Sequence, residues 1–168
     1  MISRIFAKVA ALFFVMISTV GFSAEENFIL MNEVSDESLM ELGPHVDQQM
    51  TPCSTFKIAL SLMGFDSGIL QDEKNPVWLF QEGYDDFLES WKNPQTPKSW
   101  MKNSCVWFSR VLAGHLGAEK FQSYLSLLDY GNQDASGGHT KAWLSSSIKI
   151  SSREQVIFLR KLIQNKHP

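Results

Sequence analysis

Apolar positions change their spacing near residue 50 of this chain, dividing it into a part that predicts strands and a part that predicts helices. Residues 27–32, Asn-Phe-Ile-Leu-Met-Asn, set four consecutive apolar side chains between asparagines and predict a short buried strand, with the polar residues 33–36 as the turn after it. Residues 39–52 predict a weaker extended segment, interrupted at Gly43-Pro44. A helix is predicted to open at Pro52, run through Ile58, Ala59, Leu60, Leu62 and Met63, and stop at Gly64. Its residues are apolar almost all round, which marks a helix buried on most of its surface. Residues 66–97 mix Trp78, Phe80, Tyr84, Phe87 and Trp91 with Pro76, Gly83, Pro94 and Pro97, and predict short helices joined by tight turns. Residues 100–116 carry one helical pattern that ends at Gly117. Phe121, Tyr124, Leu125 and Leu128, at i, i+3, i+4 and i+7, predict an amphipathic helix over 118–128. Tyr130-Gly131-Asn132 makes the next turn, and residues 134–140, with Gly137-Gly138, predict a mobile loop. Ser151-Ser152-Arg153-Glu154 has the spacing of a capping box and opens a last helix through Val156, Leu159 and Ile163. No alternation in the second half predicts a strand.

The first residues follow a different rule. Arg4 and Lys8 precede an apolar stretch over 9–20, and Gly21-Phe22-Ser23-Ala24 then leads to Glu25-Glu26. That order predicts a secretory signal over residues 1–23, cleaved after Ser23, and an exported domain over residues 24–168. An uncleaved anchor is the competing reading, but the apolar run is shorter than the roughly 20 residues a membrane span needs. No stable membrane association is expected after cleavage. A composition of 44% hydrophobic residues, with five Trp and twelve Phe, supplies one modest domain with a core. The formal net charge of −3 gives no electrostatic case for binding nucleic acid. His45, His115, His139 and His167 are scattered without ligand spacing, so no metal is expected. Nothing here sets an oligomeric state.

Chemistry concentrates at Pro52-Cys53-Ser54-Thr55-Phe56-Lys57-Ile58. Residues i and i+3 share a helix face within about one turn, or roughly 5.4 Å, so Ser54 and Lys57 can meet. Lysine in water is an acid at neutral pH. Burial disfavours the ammonium and leaves an amine able to take a proton from a neighbouring hydroxyl. The alternative is a chance S-x-x-K on an ordinary surface helix, and the apolar run beside it argues for burial.

Four strings follow one another in order: Pro52-Cys53-Ser54-Thr55-Phe56-Lys57-Ile58, Ser104-Cys105-Val106, Tyr130-Gly131-Asn132, and Trp143-Leu144 followed by the capped helix with Glu154-Gln155. Together they span most of residues 24–168, and their order resembles the class D, oxacillinase-type serine β-lactamases. S-x-V as the second element separates the chain from the class A pattern. The resemblance implies an α+β fold of the β-lactamase/transpeptidase type, with the helical half and N-terminal strands present and the C-terminal strands of the sheet missing. It implies a β-lactam substrate and a periplasmic location. Carried over residue by residue, Ser54 would be the acyl-ester nucleophile and Lys57 the base, carboxylated on its side-chain nitrogen by carbon dioxide, with no other cofactor. Ser104 would relay a proton to the leaving nitrogen, and Val106 would keep water from the modified lysine. Trp143 would donate a hydrogen bond to the carbamate, while Tyr130 and Asn132 would shape the cleft wall. Val106 and Trp143 also read as ordinary core residues.

The family's third motif, K-S/T-G on a strand, is absent: Lys98-Ser99 precedes Trp100, Lys141 precedes Ala142, and Lys149 precedes Ile150. The expectation is a truncated class D enzyme with little or no activity alone, whose N-terminal strand lacks partners and whose helical half lacks cover. Cys53 and Cys105 adjoin the two serines that the resemblance brings into one cleft, which implies either a disulfide or two buried thiols. A penicillin sensor or transpeptidase shares the same serine and lysine chemistry, and an inactive remnant is the third reading.

Overall fold

The computed structural model describes residues 26–32 and 37–164. The proposed signal, the turn at 33–36 and His167 lie outside the described residues. Strand β1, Phe28–Met31, pairs antiparallel with β2, Ser38–Leu42, in the register Phe28 to Leu42, Ile29 to Glu41 and Leu30 to Met40. Among the described residues the expected strand therefore has one partner. Its burial is one-sided: Ile29 points into the core, whereas Phe28 and Leu30, with Met40 and Leu42 opposite them, are about half exposed. Successive strand side chains alternate faces, so these four share one uncovered face.

A 3-10 turn over Cys53–Phe56 leads directly into α1, Lys57–Asp66. This helix passes the expected stop at Gly64, because a residue with no side chain fits where a Cβ would meet Leu70 at 2.7 Å. Residues 66–97 depart further from expectation. Instead of several short helices they form an irregular segment with one 3-10 turn, Glu89–Lys92, and an isolated bridge between Trp78 and Gln95. The predicted helix over 100–116 is two helices, α2, Pro97–Asn103, and α3, Val106–Leu116. Helix α4, Ala118–Leu127, and α5, Ser152–Ile163, follow their patterns closely. The capping box at Ser151 and Glu154 is formed: Ser151 Oγ accepts from the Glu154 N–H at 3.2 Å, and Glu154 Oε2 accepts from the Ser151 N–H at 2.7 Å.

Helix α1 packs on α3, α3 on α4, and α5 on β1. Leu60, Met63, Leu112, Phe121 and Leu125 are fully buried where the helices meet. The helical half thus keeps a closed core, while apolar side chains stay exposed on the sheet and also outside it, among them Leu79, Phe87 and Ile163. The loop over 134–140 is also better held than its glycines suggest. Ser147 Oγ donates to the Asp134 carbonyl at 2.6 Å and accepts from the Gly137 N–H at 2.9 Å.

Candidate active site

Lys57 opens α1 one residue after the buried Phe56, and only 3% of it is exposed. Phe56 is wedged among Trp143, Tyr130 and Phe121, with ring centroids at 5.1, 5.3 and 5.8 Å. This aromatic packing drives the turn inward and takes the lysine with it. Ser54, two residues before Phe56, stays exposed. The Nζ of Lys57 lies 3.3 Å from the Oγ of Ser54. Burial holds the Lys57 pKa below its ordinary value, and the sulfurs of Cys105 and Cys53 oppose that shift less strongly.

Ser104 reaches the same point from a different element. It ends α2 in the left-handed region, at φ 51°, and its Oγ donates to Ser54 Oγ at 3.0 Å. The Cys105 N–H closes the turn on the Trp100 carbonyl at 3.1 Å, and the indole of Trp91 donates to the Asn103 carbonyl at 2.8 Å. The break between α2 and α3 is therefore what delivers Ser104. A continuous helix would not hold Ser104 in the left-handed conformation from which it meets Ser54.

The remaining expected residues divide. Trp143 is buried with its ring stacked on Phe56, and Val106 is half-buried in the first turn of α3, where it lines a cavity of about 450 Å³ with Leu144, Trp91 and Arg110. Tyr130 is not a cleft wall. It is fully buried between Phe56 and Phe158, with its hydroxyl donating to Gln155 at 3.2 Å. The Asn132 side chain ties the loop together: its amide donates to the Ser147 carbonyl at 2.9 Å, and its oxygen accepts the Lys149 N–H at 2.9 Å. Cys53 and Cys105 are free, one exposed and the other in the core, and they form no disulfide. Burial pushes the Cys105 thiol up to about 11, which leaves it unreactive at neutral pH.

Sequence reasoning missed Thr51, whose hydroxyl joins the segment before Ser54 to the loop carrying Trp143. Its only signal was a hydroxyl residue just ahead of Pro52. Among the described residues no group of three His, Cys, Asp or Glu could hold a metal, and no helix is long and apolar enough to cross a membrane.

A buried amine, an exposed hydroxyl and a second hydroxyl in mutual contact have the geometry of nucleophilic acyl transfer. The family described as "Penicillin binding protein transpeptidase domain" matches residues 30–167. This chain belongs to that family. Within the transpeptidase-domain family its homologues and structural neighbours are class D β-lactamases. It is 39% identical over 147 residues to beta-lactamase OXA-9 of Klebsiella pneumoniae, covering 83% of this chain and 53% of the relative. It is 46% identical over 126 residues to beta-lactamase OXA-1 of Escherichia coli, covering 71% of this chain and 45% of the relative. The crystal structure of the OXA-427 class D beta-lactamase superposes with a TM-score of 0.80 at 44% identity, covering 85% of this chain and 61% of that one. The chain spans about half the length of the curated relatives it matches. Among the described residues, five helices and a two-stranded sheet match the class D fold over the part they cover.

Proposed function

We propose that this chain reacts with β-lactams to form an acyl-enzyme at Ser54, with Lys57 as base and Ser104 as proton relay. The observation that carries the proposal is the buried Lys57 Nζ within 3.3 Å of an exposed Ser54 Oγ that also receives the Ser104 hydroxyl at 3.0 Å. In the first step the neutral base takes the proton of Ser54 as Oγ attacks the lactam carbonyl. The C–N bond breaks, and the departing nitrogen takes a proton through Ser104. The low lysine pKa also lets the amine add to carbon dioxide with loss of a proton, giving a carbamate. That carbamate then takes a proton from water, hydroxide attacks the ester, and Ser54 leaves with its proton restored. Residues 1–23 support export, and export would bring the site to its substrate in the periplasm.

Turnover by the 168 residues alone is proposed to be slow. The K-S/T-G strand, which in class D enzymes supplies one oxyanion donor, has no counterpart in this sequence, and a lost donor costs about a hundredfold to a thousandfold. The test is labelling with a fluorescent penicillin, read by intact-protein mass, alongside a chromogenic cephalosporin. The expected result is one adduct on Ser54, no adduct in Ser54→Ala, and turnover at least about a hundredfold below that of a full-length relative. Equal labelling of Ser54→Ala would refute the assignment. An adduct that never hydrolyses would instead favour a penicillin sensor.

A further inference from the structure

We infer that Thr51 is a positioning residue for the nucleophile, acting through the loop that carries Trp143. The inference rests on the acyl-transfer reading above and adds to it a determinant outside the four strings shared with class D enzymes.

Segment 50–53 is stapled to residues 143–150 by five hydrogen bonds. Two join Met50 and Ile150, whose backbone groups exchange bonds at 3.0 and 2.8 Å. A third runs from the Cys53 N–H to the Trp143 carbonyl at 3.1 Å. The hydroxyl of Thr51 supplies the other two, donating to that same carbonyl at 2.9 Å and accepting the Ser145 N–H at 3.0 Å. One side chain therefore uses both its donor and its acceptor to fix the chain two residues before the 3-10 turn that presents Ser54.

Both residues flanked by this staple are held away from ordinary backbone geometry: Cys53 has φ 46° and Ser145 has φ 52°. Non-glycine residues rarely enter the left-handed region, so the staple over-determines a conformation that the local sequence does not favour. Trp143 is gripped from both sides, its carbonyl by Thr51 and Cys53, its ring by Phe56. A small movement of the Trp143 carbonyl would therefore shift Cys53, and with it the Oγ of Ser54 relative to Lys57 Nζ. Displacements on the order of 1 Å at a reacting centre can cost about a hundredfold in rate. Loss of two bonds out of five should give a smaller displacement.

Thr51→Val keeps the shape and removes both bonds, whereas Thr51→Ser keeps the hydroxyl. Tyr124→Phe serves as a stability control, because it removes the Tyr124 to Asp66 bond at 2.5 Å at the opposite end of α1 from Lys57. The experiment measures acylation by a fluorescent penicillin over a range of concentrations, separating the limiting acylation rate from half-saturation, with thermal melting for every variant. The expected result is a limiting rate about tenfold lower in Thr51→Val with half-saturation unchanged, near wild-type acylation in Thr51→Ser, and an unaltered rate in Tyr124→Phe. A Thr51→Val rate equal to wild type overturns the positioning role and leaves the functional reading intact. A rate loss equally large in Tyr124→Phe at a matched melting temperature also overturns it. If wild type takes no label at Ser54, the functional reading fails and this inference fails with it.

Discussion

The base proposed at Lys57 calls for an unprotonated amine, and burial lowers its pKa in that direction at a cost in stability. Since burial lowers its pKa, the unfolded chain binds a proton that the folded chain does not, between the lowered folded value and the ordinary lysine value. Stability therefore rises with pH across that window. Below it the lysine is protonated in both states and the cost of burying its charge is fully felt; above it the cost is gone. In carbon-dioxide-free buffer, Lys57→Met should raise the urea midpoint at neutral pH, flatten its dependence on pH, and abolish penicillin labelling. Urea titrations at several pH values check the first two, and a midpoint that falls would contradict the burial argument. With labelled bicarbonate present, wild type should show a carbamate carbon resonance that Lys57→Met lacks. The partnership of residues 54 and 57 was legible because i, i+3 spacing and an unbroken apolar run are local signals. The burial of Tyr130 was not, because its neighbours Phe56 and Phe158 are far from it in sequence.

At the scale of elements, the least legible feature is also the one that brings Ser104 to Ser54. Periodicity over residues 100–116 runs on without interruption, since Trp100, Trp107, Phe108 and Leu112 are all buried on either side of the break. What ends α2 is a left-handed serine, and serine in that conformation announces itself far less than glycine does. The fold accepts this strain to place a hydroxyl where glycine would place none. Ser104→Gly should leave stability unchanged or raise it by about 1 kcal/mol through relief of the left-handed backbone, while slowing acylation. Chemical denaturation and penicillin labelling measured together test the claim, and a variant that acylates at the wild-type rate would remove Ser104 from the relay. The capped α5 and amphipathic α4 were legible end to end. Residues 66–97 were not, because their aromatics are held by distant partners, such as Trp107, whose ring stacks on that of Tyr84 at 5.2 Å.

Across the whole molecule, order and exposure are distributed unevenly. The helices meet in a closed core, while Phe28, Leu30, Met40 and Leu42 leave one face of a two-stranded sheet in water. An apolar face beside an open strand edge invites self-association. Leu30 and Met40 stand directly opposite each other, so Leu30→Glu combined with Met40→Lys replaces two exposed apolar groups with a cross-strand ion pair. Light scattering at increasing concentration should show the double variant remaining dispersed where wild type clusters, with penicillin labelling unchanged. Clustering of both to the same extent would mean that another surface drives it.

The ring column from Phe158 through Tyr130 and Phe56 to Trp143, with centroids 5.1 to 5.3 Å apart, has a consequence for biosynthesis. Ser54 belongs to the first third of the chain, yet the ring column beneath its turn is finished by Phe158 of α5. A ribosome therefore releases Ser54 long before this packing can form, and the chemistry proposed for it would have to wait until α5 has emerged and docked.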